Sequence, residues 1–137
     1  MTSGADLMDP YLLEIPRQAE YLTTARLFAG AIARQYAGDS AVDDVKLAVT
    51  EAATALLGAG GDGESITFKV TRSGEGIRFA ITCVDISSVT EAEKDPEGTL
   101  RGLDLARAVF PSLEVTQPSP TGQTQLTATI SFELAIR

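Results

Sequence analysis

Glu51 and Ala55 occupy neighbouring turns of the stretch around which the rest of the chain is organised, residues 39–60. Apolar residues in this stretch recur at steps of three and four, which predicts one long helix with a single buried face. The recurring residues are Val42, Val45, Val49, Ala52 and Leu56. Glu51 and Ala55 flank that face one turn apart, so both are predicted to border the same cavity. A carboxylate in such a position is a candidate general base, whereas the alanine methyl group weakens that interpretation.

The composition excludes several classes of site and partner. The 137 residues include one cysteine and no histidine, which excludes a structural zinc site, a histidine-based triad and a disulfide framework. A net charge of −8 argues against nucleic acid as a partner, because phosphate binding needs clustered lysine and arginine. No apolar run approaches the roughly 20 residues that span a bilayer, and residues 1–10 do not resemble a signal peptide. We expect a cytoplasmic protein without a membrane or nucleic-acid partner.

Periodicity and turn residues predict five strands and three helices in the order β-α-α-β-β-α-β-β. The predicted elements are strand 11–15, helices 17–36 and 39–60, hairpin 66–83, helix 100–110, and strands 113–117 and 126–136. Gly38 is predicted to end the first helix and Asp39 or Ser40 to cap the second. Residues 1–10 are predicted to form a flexible tail and residues 11–137 a single domain.

The alternation of the strands predicts how these elements pack. Strands adjacent in sequence mostly form hairpins, so the sheet is expected to be mixed and mostly antiparallel. The short first strand suits a sheet edge, and the long last strand suits a central position. One face of the sheet is apolar and is expected to be covered by the three helices. The predicted fold class is an α+β two-layer sandwich.

A glycine pattern and the cysteine could each suggest a functional site, but both are better explained by structure. Gly58, Gly60 and Gly63 match the dinucleotide-binding pattern G-x-G-x-x-G, but they follow a helix and precede a strand, the reverse of what that motif requires. The stretch is therefore predicted to be a flexible linker. Cys83 falls on the apolar side of its strand, which predicts a small buried core residue rather than a reactive thiol.

The order of elements and three local motifs resemble the GHKL ATPase superfamily, in particular the bacterial anti-sigma factors that also act as serine protein kinases. The resemblance spans roughly residues 11–135. The central helix of the family carries an E-A-x-T-N pattern in which the Glu is the general base and the Asn holds Mg²⁺. Here Glu51 and Thr54 match that pattern, and Ala55 stands at the Asn position. Because Mg²⁺ requires oxygen ligands, the resemblance implies that the metal ligand is lost.

The second motif of the family is D-x-G-x-G after the hairpin, where the Asp contacts adenine. Asp85 matches the Asp, while Ser87 and Val89 replace the two glycines. Side chains at these positions restrict the backbone and occupy space that the ligand needs.

The third motif is the glycine-rich turn G-x-G-L that opens the late helix. Gly102 matches its second glycine, and Leu100 replaces the first. Residues 86–99 correspond to the nucleotide lid of the family. By resemblance, the nucleotide-binding positions are Asp85, Gly98, Arg101 and Gly102.

Taken together, the resemblance implies an anti-sigma-factor-like regulator whose nucleotide binding and kinase activity are weakened or lost. Glu51 is then a vestigial general base, no residue serves as a metal ligand, and no cofactor is expected, with ATP and Mg²⁺ relevant only to a functional site. The implied partners are a sigma factor or a STAS-fold antagonist. A homodimer through the sheet edge and first helix is also implied.

Two alternatives remain open. One is a working ATP-dependent serine protein kinase that phosphorylates a STAS-type antagonist. The other is a small-molecule or structural module unrelated to transcription.

Overall fold

The computed structural model describes residues 10–86, 101–116 and 126–136, which form an α+β architecture of five strands and three helices. The strands are β1 (Tyr11–Pro16), β2 (Ser65–Ser73), β3 (Gly76–Ile86), β4 (Glu114–Thr116) and β5 (Leu126–Ala135). The helices are α1 (Leu22–Ala37), α2 (Val42–Leu57) and α3 (Arg101–Val109). Short 3₁₀ turns at Ala19–Tyr21 and Asp39–Ala41 precede α1 and α2. The predicted order of elements is confirmed.

The sheet has the strand order β1-β2-β3-β5-β4, and each of its four neighbouring pairs is antiparallel. The prediction of a mixed sheet is therefore wrong for the described strands. The reason lies in the topology, because β4 runs in the same direction as β3 but β5 lies between them. The edge position of β1 and the interior position of β5 are confirmed.

The helix pair α1 and α2 explains why β1 and β2 are antiparallel. Two helices of 16 residues each carry the chain about 24 Å away from the sheet end and the same distance back. The chain therefore enters β2 beside the end of β1, where Pro16 pairs with Ser65.

A single apolar cluster joins the helices to one face of the sheet. Alternate residues of β2, β3 and β5 point into it, and Phe79 and Phe132 stack there with ring centres 5.0 Å apart. These two rings are among the largest fully buried side chains. The arrangement is compatible with a two-layer sandwich, as the alternation predicts.

The helix boundaries differ from the predicted ones by a few residues. Gly38 ends α1 as predicted, but α1 begins at Leu22 rather than near Arg17 because a 3₁₀ turn comes first. Helix α2 begins at Val42, and its N-cap residue is Ala41, whose side chain makes no capping hydrogen bond. The prediction that Asp39 or Ser40 caps this helix is wrong, since both lie in the preceding 3₁₀ turn.

Candidate functional site

Glu51 lies on α2, half-buried at the flank of the apolar stripe, as the spacing predicts. It has no ion-pair partner among the residues that the structure describes. Carboxylate oxygens in this position can accept hydrogen bonds from a bound molecule.

Ala55, one turn after Glu51, belongs to the core and is only 2% exposed. Val42 and Lys46 of α2 lie against Gly30 of α1 and therefore define the side of α2 that faces α1. Helical spacing places Ala55 on the opposite flank, and α3 is the other helix that packs on α2. The methyl group of Ala55 therefore fills apolar space on the α3 side.

Asp85 lies near the end of β3 with an exposed side chain and a left-handed backbone, φ +58°. It sits at an irregularity in the pairing of β3 with β5, between Cys83 and Ile86. A residue other than glycine is uncommon in this backbone region, although aspartate is among those that tolerate it best. The carbonyl oxygen of Asp85 accepts a hydrogen bond of 2.9 Å from the amide of Gly63.

The loop between α2 and β2 contains the glycine pattern of the sequence analysis, and Arg17 binds it. The Arg17 guanidinium donates five hydrogen bonds to four carbonyl oxygens. These oxygens belong to Leu56, Gly60, Gly61 and Gly63. Every donor atom of the side chain is used, so this loop is tied to the end of β1. The loop follows helix α2 and precedes strand β2, as predicted, which is the reverse of the context that the dinucleotide-binding motif requires.

Cys83 lies on β3 beneath this loop and is 1% exposed. Burial raises the pKa of its thiol, Arg17 lowers it and Asp85 raises it, and burial has the largest effect. The prediction of a buried core cysteine is confirmed. A raised pKa keeps the thiol protonated and unreactive at neutral pH.

The other residues singled out by resemblance fall at the edge of the described chain or beyond it. Arg101 and Gly102 are the first two residues of α3. Gly98 lies outside the described residues, and so do residues 1–9 of the predicted tail. The three positions at which the family has glycine and this chain has another residue also lie outside them. Those replaced positions are Ser87, Val89 and Leu100.

A cavity of about 330 Å³ opens at the other end of β3 from Asp85, beside Glu75, Ser112 and Glu133. Ten residues of strand separate the two ends, a distance of roughly 33 Å. Within the described residues, no group of three carboxylate or thiol side chains could hold a metal ion. None of the described helices is long and apolar enough to cross a membrane.

Arg17 is the residue that the sequence analysis missed. Helical periodicity placed it at the start of the first helix, and its five hydrogen bonds reach residues 39 to 46 positions further along the chain. The only local signal is Pro16, which prevents a regular continuation of the backbone hydrogen bonding at that point. Comparisons with models of known protein families and with curated proteins give no match for this chain.

Proposed function

We propose that this protein is an anti-sigma-factor-like regulator of the GHKL type, with the Bergerat-like fold of that superfamily, in which nucleotide binding and kinase activity are weakened or lost. Its partner is a sigma factor or a STAS-fold antagonist. We further propose that it acts in the cytoplasm as a homodimer.

The burial of Ala55 carries this proposal. At the position where the resembled family has a metal-binding amide, this chain has a methyl group inside the apolar core. A methyl group cannot coordinate Mg²⁺. Phosphoryl transfer depends on the charge that the metal neutralises, so loss of this ligand removes more activity than a change at a peripheral contact.

The order of the secondary-structure elements also supports the proposal. The resemblance expects one acidic residue on the central helix and one after the hairpin strands, and Glu51 lies on α2 and Asp85 near the end of β3. A retained scaffold with an altered metal position fits a protein that has kept partner binding and given up catalysis.

The cheaper test is thermal unfolding with and without Mg-ATP. A site with a dissociation constant of about 10 µM would gain about 2.7 kcal/mol at 1 mM ligand, which raises the melting temperature by several degrees. We expect no such shift. A shift that EDTA reverses would contradict the proposal and favour the working serine protein kinase.

The second test concerns the partner. Purification of the tagged chain from its native host is expected to recover a sigma factor or a STAS-fold protein, identified by mass spectrometry. Recovery of neither, in a preparation in which the tagged chain itself is folded, would favour a module unrelated to transcription.

A further inference from the structure

A single side chain, Arg17, holds the glycine-rich loop of residues 58–63. Its two shortest hydrogen bonds are 2.7 Å to the carbonyl oxygen of Gly60 and 2.8 Å to that of Leu56. Leu56 is in the last turn of α2, where backbone carbonyls lack helical partners and favour a positive charge. Arg17 therefore caps the helix and secures the loop at the same time.

The loop lies directly on the backbone of β3. A side chain at Gly61 would collide with the carbonyl oxygen of Asp85, and a side chain at Gly63 would collide with that of Val84. Gly61 also has φ +81°, which side-chain-bearing residues rarely adopt. The two glycines thus allow the backbones to approach closely enough for the Gly63 amide to bond Asp85.

The loop also covers the thiol of Cys83. A β-carbon built on Gly63 would stand 3.0 Å from the Cys83 sulfur and 3.4 Å from the Arg17 guanidinium. Cys83 pairs with Ala128 of β5, and the preceding residue Thr82 pairs with Thr67 of β2. Access to the sulfur through the loop therefore requires the loop to move and leaves the sheet in place.

We propose that Arg17 is a positioning residue that latches loop 58–63 over the end of β3, and that the loop opens locally, as one unit, when Arg17 releases its carbonyls. Few apolar contacts and partly exposed hydrogen bonds characterise segments that open below the global unfolding free energy. Two of the five Arg17 hydrogen bonds are exposed, and four residues of the loop are glycines. The latch needs neither a nucleotide nor a partner, so it stands apart from the proposed function.

Cys83 makes the opening measurable because it is the only cysteine in the chain. The experiment follows the reaction of the native protein with Ellman's reagent, in Arg17→Ala, Arg17→Lys and the unchanged protein. We expect Arg17→Ala to react at least about tenfold faster, because loss of two hydrogen bonds of ordinary net strength shifts an opening equilibrium by that factor. Arg17→Lys keeps the charge but not the planar fork of donors, so its rate is expected to be intermediate.

Val42→Ala is the matched control, since Val42 is buried at the other end of α2, 14 residues and about 21 Å from Leu56. The reaction rates of Arg17→Ala and Val42→Ala are compared at urea concentrations at which the two variants have the same global free energy of unfolding. Equal rates for Arg17→Ala and Val42→Ala would overturn the proposal, because the thiol would then be reached only by global unfolding. A reaction rate in the unchanged protein that rises with urea as steeply as global unfolding would overturn it too. If Arg17→Ala does not fold, Arg17→Lys against Val42→Ala decides by the same criterion.

Discussion

Ala55 lies inside the apolar core. A side chain that held a metal ion there would have to displace apolar neighbours, because Ala55 belongs to the core cluster that includes Leu103 and Ala106 of α3. Glu51 one turn earlier is half-buried and remains accessible. At the scale of single residues, the flank of α2 therefore carries an acidic group at Glu51 and, one turn later, a methyl group that offers no ligand atom.

Replacement of Ala55 by asparagine tests whether this position can hold an amide ligand. We expect Ala55→Asn to lower the free energy of unfolding by about 1–3 kcal/mol, because it leaves amide hydrogen-bonding groups unsatisfied in an apolar cluster. Urea unfolding measures this cost. Ala31→Asn on the exposed side of α1 is the control, for which helix propensity alone predicts a loss of about 0.7 kcal/mol or less.

The same Ala55→Asn variant is expected not to bind Mg-ATP tightly, because the residues at positions 87, 89 and 100 still differ from the glycines of the resembled family. Calorimetric titration of Mg-ATP measures the affinity. A micromolar dissociation constant in this single variant would contradict the expectation and would show that the rest of the site is intact.

The thiol of Cys83 predicts a pH dependence of stability. Burial raises its pKa in the folded protein above the ordinary value of 9.0, so the unfolded chain releases this proton first. The stabilising contribution is present in full well below pH 9, and it is lost as the pH rises through 9.0 toward the higher folded-state pKa, by at most about 1.4 kcal/mol per pH unit.

The measurement is the free energy of unfolding between pH 7 and pH 10, in the unchanged protein and in Cys83→Ala. Tyr36 also has a raised pKa, mainly through its hydrogen bond with Tyr11, and it contributes equally to both proteins. The difference between the two curves is therefore expected to shrink above pH 9 because of Cys83 alone. A difference that stays constant across this range would contradict the assignment.

At the scale of elements, the conformation and close packing of the loop between α2 and β2 explain its glycines. Gly61 is expected to tolerate no side chain, since its backbone is left-handed and its neighbour is the Asp85 carbonyl. Gly61→Ala should lower the free energy of unfolding by more than about 1 kcal/mol. Gly58 has φ −86°, so Gly58→Ala should be neutral or stabilising by up to about 1 kcal/mol. Urea unfolding of the pair provides the comparison, and equal losses would contradict this account of the loop.

A local sequence pattern predicts a helix or strand well when all the residues that form the pattern lie within that element. The alternation of β3 and β5 and the three- and four-residue steps of α2 reflect one buried face, so they survive into the structure. The role of Arg17 could not be predicted in this way, because its carbonyl partners begin 39 residues away. The direction of β4 relative to its neighbour likewise depends on where β5 inserts, which no local pattern encodes.

At the scale of the whole molecule, the sheet has one face covered by helices and one that faces away from them. A row of four threonines crosses that second face in register, on β2, β3, β5 and β4. The row consists of Thr67, Thr82, Thr129 and Thr116. Among the described residues, the large exposed apolar side chains are Leu12 on β1, Leu27 on α1, Val84 on β3 and Leu105 on α3.

The exposed leucines allow a test of the proposed homodimer, which by resemblance forms through the sheet edge and the first helix. Leu27 on α1 is 62% exposed and Leu105 on α3 is 59% exposed. Substitution by aspartate at either position should therefore perturb the fold of the protomer equally little. We expect Leu27→Asp to convert the dimer to a monomer, because burying an unpaired carboxylate in an interface is strongly unfavourable. Leu105→Asp should leave the dimer unchanged.

Sedimentation equilibrium at several protein concentrations distinguishes the possible outcomes. A monomeric unchanged protein would contradict the dimer itself. A dimer that survives Leu27→Asp but is lost in Leu105→Asp would place the interface on α3, beside the flank of α2 that carries Glu51 and Ala55. Because the resemblance assigns nucleotide binding to that flank, such a result would place a second copy of the chain next to the candidate site.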